Sequence, residues 1–184
     1  MSKELDAVLK QLPDQSARRK LPPVDTWNPP LSGDIDIVIK RNGLWFHEGD
    51  EIQRHELACL FSTILKREGD DYFLVTPVEK WRLTVEDVPF YITGMDVLQQ
   101  DGQRIIVFTT FTNDKVVLSK TNPLRVVSDP ETGEPSPYLM VRNNMEGLVS
   151  RHIFYRLAES AQLKSINGAE CYFVNSLGED FIIG

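Results

Sequence analysis

The chain has 184 residues, 41% of them hydrophobic and 26% charged, with a formal net charge of −7. That length allows one domain or two small ones with a self-sufficient core, and the composition is that of an ordinary globular protein. An acidic chain with no long basic stripe is a poor DNA or RNA binder, no apolar run approaches a membrane span, and no apolar leader opens the chain. Cys59 and Cys171 share no metal-ligand spacing and read as cytoplasmic thiols.

In chain order, Leu5, Val8, Leu9 and Leu12 recur at helical spacing until Pro13, with Ser2 as N-cap. The run Arg18-Arg19-Lys20 reads as a solvated basic patch. Residues 21–33 hold Pro22, Pro23, Pro29 and Pro30 around Trp27, a stiff extended linker whose tryptophan is expected to dock as an anchor. Residues 1–32 therefore form an N-terminal helix and linker, 33–86 a first lobe, and 87–184 a second, β-rich lobe.

The first lobe opens with a strand over 34–40, an Asn42-Gly43 turn and a return strand over 44–48. Leu57, Leu60, Phe61, Ile64 and Leu65 predict a helix over 53–67, ended by Gly69. Residues 72–90 then read as a hairpin. Trp81, Leu83 and Val85 alternate with Lys80, Arg82, Thr84 and Glu86, Pro77 marks a strand end, and Thr76, Glu79 and Lys80 gather at the tip.

The second lobe predicts strands over 90–99, with Gly94 as a bulge, 104–111, 115–119 and 124–127. Asp101-Gly102 and Asn113-Asp114 mark turns between them. Residues 129–137 form a surface loop, and 138–141 and 145–149 flank an Asn143-Asn144 hairpin turn. Ile153, Phe154, Leu157, Ala158 and Ala161 mark a helix near 151–162 with Ser150 as N-cap, and strands over 170–174 and 180–183 close the chain.

Two segments share an order of elements. Strand, Arg41-Asn42 turn, strand, Arg54-His55 at a helix start, Tyr72-Phe73 strand, turn and strand is matched by strand, Arg142-Asn143 turn, strand, Arg151-His152 helix, Tyr172-Phe173 strand, turn and strand. This predicts an internal duplication, an α+β fold of two similar strand-helix-strand lobes.

Arg54 and Arg151 each stand in the first turn of a helix, the end that carries partial positive charge and disfavours a cation. Together with exposed helix N–H groups they could grip a phosphate-bearing or carboxylate ligand between the lobes. The competing account is local neutralisation, of Arg54 by Asp50 or Glu51 and of Arg151 by Glu146. Thr76, Glu79 and Lys80 would orient a ligand or simply close their turn. Trp81 or Tyr155 would offer a face to a ring, or else belong to the core. His55-Glu56-Leu57-Ala58-Cys59 begins like a zinc-protease helix but lacks its second histidine, and spacing places no third ligand even with Cys59 as a substitute. Phosphate-loop, dinucleotide and nucleophile-elbow signatures are absent from the sequence.

The pieces Trp27-Asn28-Pro29-Pro30, Gly33-Asp34-Ile35-Asp36-Ile37, Leu74-Val75-Thr76-Pro77-Val78-Glu79-Lys80, Val85-Glu86-Asp87-Val88-Pro89-Phe90 and Arg151-His152-Ile153-Phe154-Tyr155 resemble a bacterial domain-of-unknown-function family, number 1285. The resemblance runs from about Trp27 to the C-terminus, and the Leu74–Lys80 run is its most specific part. It implies a cytoplasmic protein with a duplicated α+β lobe, a C-terminal lobe of pleckstrin-homology-like barrel character and a pocket at the lobe interface. It further implies a nucleotide-like ligand and a signalling role, and brings no catalytic residues.

The residues thus describe a non-enzymatic binding or regulatory module for a small anionic, nucleotide-like ligand at the interlobe cleft. Arg54 and Arg151 would supply charge, Thr76, Glu79 and Lys80 orientation, and Trp81 or Tyr155 a stacking face. No cofactor is assigned. The alternative is a protein-interaction scaffold using the barrel groove or an edge strand, with a different protein or a second copy of the chain as partner. A nucleotide hydrolase relying on Glu79 is a third possibility.

Overall fold

The computed structural model describes residues 21–166 and 169–184, so the expected N-terminal helix at 5–12 and the basic run at 18–20 lie outside the described residues. A 3-10 turn at Val24–Thr26 leads into β1 (Leu31–Ile39), β2 (Trp45–His47) and β3 (Asp50–Glu51). Helix α1 (His55–Thr63) then precedes β4 (Leu65–Glu68), β5 (Asp71–Val75) and β6 (Lys80–Val85). The two meanders join where β1 pairs in parallel with β6, giving one six-stranded sheet in the order β3-β2-β1-β6-β5-β4.

The second half repeats that plan. β7 (Phe90–Gln100), β8 (Gln103–Thr110) and β9 (Lys115–Val117) form one meander, and β10 (Leu124–Ser128), β11 (Pro135–Arg142) and β12 (Met145–Val149) another. β12 pairs in parallel with β7, so the order is β10-β11-β12-β7-β8-β9. In each sheet the first strand of the leading meander meets the last strand of the following one. Helix α2 (Arg151–Ala158) and a three-stranded sheet of β13 (Gln162–Ile166), β14 (Ala169–Ser176) and β15 (Glu179–Ile182) complete the chain.

The architecture is mostly β, with two similar six-stranded sheets, one of them curled into a half-barrel. The two sheets are consistent with duplicated lobes, and they repeat β1–β6 against β7–β12. The order of elements matched in the sequence is also present, but its second copy ends in β13–β15, which form a sheet of their own.

The helix predicted over 53–67 stops at Thr63, and Leu65–Glu68 is strand β4. The apolar residues at 64 and 65 fit a helical stripe, but they also suit a strand, and cross-strand pairing of Leu65 with Leu74 decides the matter. Gly69 (φ +63°) accordingly serves a two-residue hairpin turn between Glu68 and Asp71 rather than a helix end. Elsewhere the turn signals hold. Asp101-Gly102 and Asn143-Asn144 both have positive φ at each central position, and a register break falls between Ile92 and Gly94. The Asn42-Gly43 turn is one residue longer than expected: Lys40 N donates to Leu44 O at 2.9 Å across a three-residue loop.

One apolar cluster runs through both sheets and both helices, including Ile39 and Trp45 from the first half, Phe90 and Phe108 from the second, and Phe154, Leu157, Val174 and Phe181. The halves therefore share one core. Strand β8 is buried on both faces: Ile106 and Phe108 enter the main cluster, while Ile105 and Val107 form a satellite with Val117 that Leu177 of the β14–β15 turn covers. No helix among the described residues is long and apolar enough to cross a membrane.

Candidate functional site

The β1–β2 loop, Arg41-Asn42-Gly43, is where the first half reaches the second. Gly43 has φ +82°, and a β-carbon there would run into Tyr91 Cβ, so glycine is required by both backbone and neighbour. The loop is tied down by charge. Lys40 Nζ lies 2.7 Å from Glu86 Oε1, and Arg41 N donates to Glu86 Oε2 at 3.1 Å. Arg41 Nε lies 3.0 Å from Asp87 Oδ2, and its Nη2 donates to Ser136 Oγ at 3.1 Å. Tyr138 also donates to Asp87 Oδ2 at 3.0 Å; burial first, and that hydrogen bond second, push its phenol above the ordinary value.

Beside this loop opens a cavity of about 190 Å³ whose lining includes Arg41, Tyr91, Glu134, Ser136, Arg151 and Tyr155. Arg41 comes from the first half and the others from the second, so the cavity lies at their junction. Arg151 projects from the first turn of α2, whose N-cap Ser150 makes no capping hydrogen bond and instead lies 3.2 Å from His152 Nδ1. Glu134, just ahead of β11, forms an ion pair with Arg151. Glu146, the partner expected from sequence, grips Arg125 with both oxygens at 2.7 and 2.6 Å; that bond holds the Arg125 guanidinium above its usual range. Two arginines, one carboxylate, hydroxyls and two tyrosine rings make a lining suited to an anion with an attached planar group. The volume falls below the roughly 300–1,000 Å³ that encloses a drug-sized ligand, so the cavity suits a small anion or the charged end of something larger.

The other expected site residues lie elsewhere. Arg54 is the exposed N-cap of α1 and makes no ion pair among the described residues. It lines a separate, open depression together with Glu48, Asp50 and Glu51, three carboxylates against one guanidinium, which disfavours an anion there. Arg54 and Arg151 thus face different depressions rather than one crevice. Thr76 and Glu79 close their own turn: Thr76 Oγ1 accepts from Glu79 N at 3.0 Å, and Thr76 N donates to Glu79 O at 2.9 Å. Lys80 Nζ turns away to Glu68 at 2.8 Å, and Trp81 Nε1 leans toward Glu79 Oε2 at 3.4 Å. Lys66, from β4, donates to Trp27 O at 2.9 Å, so the proline-rich linker is stapled to the sheet beside the half-buried Trp27. Of the seven residues singled out, Arg151 and Tyr155 are brought together in the cavity.

A second junction lies at α1. His55 Nε2 is 3.3 Å from Cys59 Sγ and 3.3 Å from Asn113 Nδ2, and its ring meets Phe111 edge-on at 4.9 Å. The residue types suggest a cysteine–histidine–asparagine triad. One imidazole nitrogen serves both partners, however, whereas a triad needs the two nitrogens used separately, and Cys59 is buried. The cluster is an interlobe contact. Among the described residues no three His, Cys, Asp or Glu side chains gather as a metal site. Neither Cys59 nor Cys171 forms a disulfide.

Arg142 seals the same junction. It pairs with Asp114, donates to Ser62 O at the end of α1 at 2.8 Å, and its guanidinium lies 4.6 Å from the centre of the Phe90 ring. Asp114 also accepts from Thr112 Oγ1 at 3.1 Å and Thr110 Oγ1 at 3.2 Å. Arg41, Tyr91, Glu134, Ser136 and Arg142 were not marked as site residues by sequence. The repeated Arg-Asn dipeptide was the one signal for the arginines, and it registered only as a sign of duplication.

Comparison with curated proteins gave no match. Among solved structures, a DUF1285 family protein from Silicibacter pomeroyi DSS-3 is 38% identical with a TM-score of 0.80, over 100% of this chain and 96% of that one. A DUF1285 family protein from Shewanella baltica OS155 is 25% identical with a TM-score of 0.54, over 68% of this chain and 91% of that one. Residues 22–88 match "Domain of unknown function (DUF1285), N-terminal domain", and residues 89–183 match "Protein of unknown function (DUF1285), C-terminal domain". The chain belongs to the DUF1285 family.

Proposed function

We propose that the protein is a non-enzymatic binding module that takes a small anionic ligand, nucleotide-like in carrying a phosphate beside a ring, at the junction of its halves. The single observation behind this is the cavity that gathers Arg41 and Arg151 with the rings of Tyr91 and Tyr155. The guanidiniums would hold the anionic group bidentately, and a ring would rest on the exposed Tyr155. Binding between lobes that share a core would stiffen their junction, which suits a signalling role in the cytoplasm. A pleckstrin-like character of the second half belongs to the same reading, with the curled sheet and the helix after β12 as its counterparts.

Thermal melting against a panel of nucleoside phosphates tests it. A ligand at a hundred times its Kd adds about 2.7 kcal/mol, which for a chain of this size raises Tm by roughly 5–10 °C. The shift should vanish in Arg151→Gln. A panel that moves neither protein's Tm removes the proposal.

A second reading, an interaction scaffold, is favoured by a groove of about 550 Å³ between β10 and β15. Each is the outermost strand of its sheet, so the groove would take an extended peptide as an added strand. A Pro scan of β15 that abolishes capture of a partner peptide would support it over the anion site.

A further inference from the structure

Among the described residues Glu134 is the one acidic side chain in the cavity lining, and it is turned onto Arg151. Its backbone is fixed. Asp129 Oδ1 accepts from Glu131 N at 2.9 Å, Thr132 N at 2.8 Å and Thr132 Oγ1 at 3.0 Å, and Asp129 N donates to Glu134 O at 2.9 Å. Those bonds, the Thr132 N–H first, hold the Asp129 carboxyl below its usual range. Those bonds brace the loop, whereas the Glu134 side chain at its end is 52% exposed and has room to swing. Arg41 is held differently: its carboxylate partner, Asp87, stands outside the cavity lining. An arriving anion can approach Arg41 without disturbing that pair, whereas at Arg151 it competes with Glu134 for the guanidinium.

We propose that Glu134 is a built-in competitor for the anion site, occupying Arg151 in the unliganded protein and setting a threshold that a phosphate group passes and a simple carboxylate does not. This rests on the anion-site reading above. The physical reason is exchange. A ligand carboxylate would replace Glu134 like for like, with no gain in charge or in hydrogen-bond acceptors. A phosphate group, with about −1.5 to −2 charges and three strong acceptor oxygens, gains on both counts. After exchange the released Glu134 also swings away from the incoming charge, a relief available to a side chain in water.

The test measures inorganic phosphate and acetate binding to the full chain by isothermal titration, in the wild type, Glu134→Gln and Arg151→Gln. Unchanged melting of Glu134→Gln establishes that it is folded. Glu134→Gln should bind phosphate about three- to tenfold tighter, with the gap narrowing as salt rises, and should gain measurable acetate binding that the wild type lacks. Equal or weaker phosphate binding by Glu134→Gln, with binding lost in Arg151→Gln, keeps the anion site and overturns the competitor. Absence of phosphate binding in both the wild type and Glu134→Gln overturns the two together.

Discussion

The two Arg-Asn turns carry the same dipeptide and do opposite things. Arg142 is the last ladder residue of β11, paired with Met145 across a two-residue turn, and its side chain is 14% exposed. Arg41 is the first residue of a three-residue loop, outside the ladder, and its side chain is 57% exposed. One residue of loop length moves the arginine from a strand face, where it is aimed inward, to a loop, where it reaches outward. Each arginine still crosses to the other half, Arg142 to Ser62 and Arg41 to Ser136. One is a lock in the interior, the other an exposed wall of a cavity. The two turns share a dipeptide and a crossing to the other half, but they stand at different places in the sheet repeat, Arg41 between β1 and β2 and Arg142 between β11 and β12.

Breaking the lock should have the largest effect. Arg142→Ala strands Asp114 and the α1 carbonyl, and should cost about 3 kcal/mol or more, read as a lower urea midpoint with an unchanged slope. Arg142→Lys should recover part of this at most, because a point charge cannot serve Asp114, Ser62 O and the Phe90 face together. If Arg142→Ala unfolds like the wild type, Arg142 does not lock the two halves together.

Gly43→Ala comes next. It forces a β-carbon into Tyr91 at a left-handed φ and should cost about 2 kcal/mol, visible as a lower Tm. Smaller again is the contribution of Glu68 at the far edge of the first sheet. Its carboxyl is held below the ordinary 4.5 by the hydrogen bond from Lys80, and then by Lys66, against desolvation. A carboxyl lowered in the folded state binds protons more readily when unfolded, so its stabilisation is present above about pH 4.5 and disappears as pH falls through the lower, folded value. Glu68→Gln should flatten that part of the acid-stability curve, and a curve identical to the wild type's would show the pairing to be idle. Arg41→Ala should change stability least, by less than about 1 kcal/mol, since its ion pair is exposed. It should instead weaken anion binding, a readout that Arg142→Ala shares only through unfolding.

Local pattern settled much of the architecture. Alternation placed most strands, and Asp-Gly and Asn-Asn pairs placed hairpin turns, because those residues tolerate the positive φ that a tight turn demands. The buried run of β8 and the start of the amphipathic α2 were legible, but the helix expected to reach 162 stops at Ala158, and Gln162–Ile166 is strand β13, which no local signal marked. Residues 64–68 were misread because Leu65 satisfies a helical stripe and a strand alike, and only pairing with Leu74 separates the two. At the site, Arg151 was visible as a cation at the wrong end of a helix. Arg41, Tyr91 and Glu134 carried no comparable signal, since none breaks a local rule.

What the chain alone determined, then, is where it turns and which residues face inward along each strand, both consequences of backbone sterics and hydrophobic period; the repeat it suggested, 37 onward against 138 onward, is not the one the two similar sheets follow. What the tertiary structure decided is which first strand meets which last strand, which arginine is buried, and which ion pairs stand at a cavity. Those outcomes depend on residues 40 to 100 positions apart meeting with the right loop length between strands, as Arg142 meets Ser62 and Arg41 meets Ser136 at separations of 80 and 95. Free energy at such contacts comes from desolvation and geometry that no window of sequence contains.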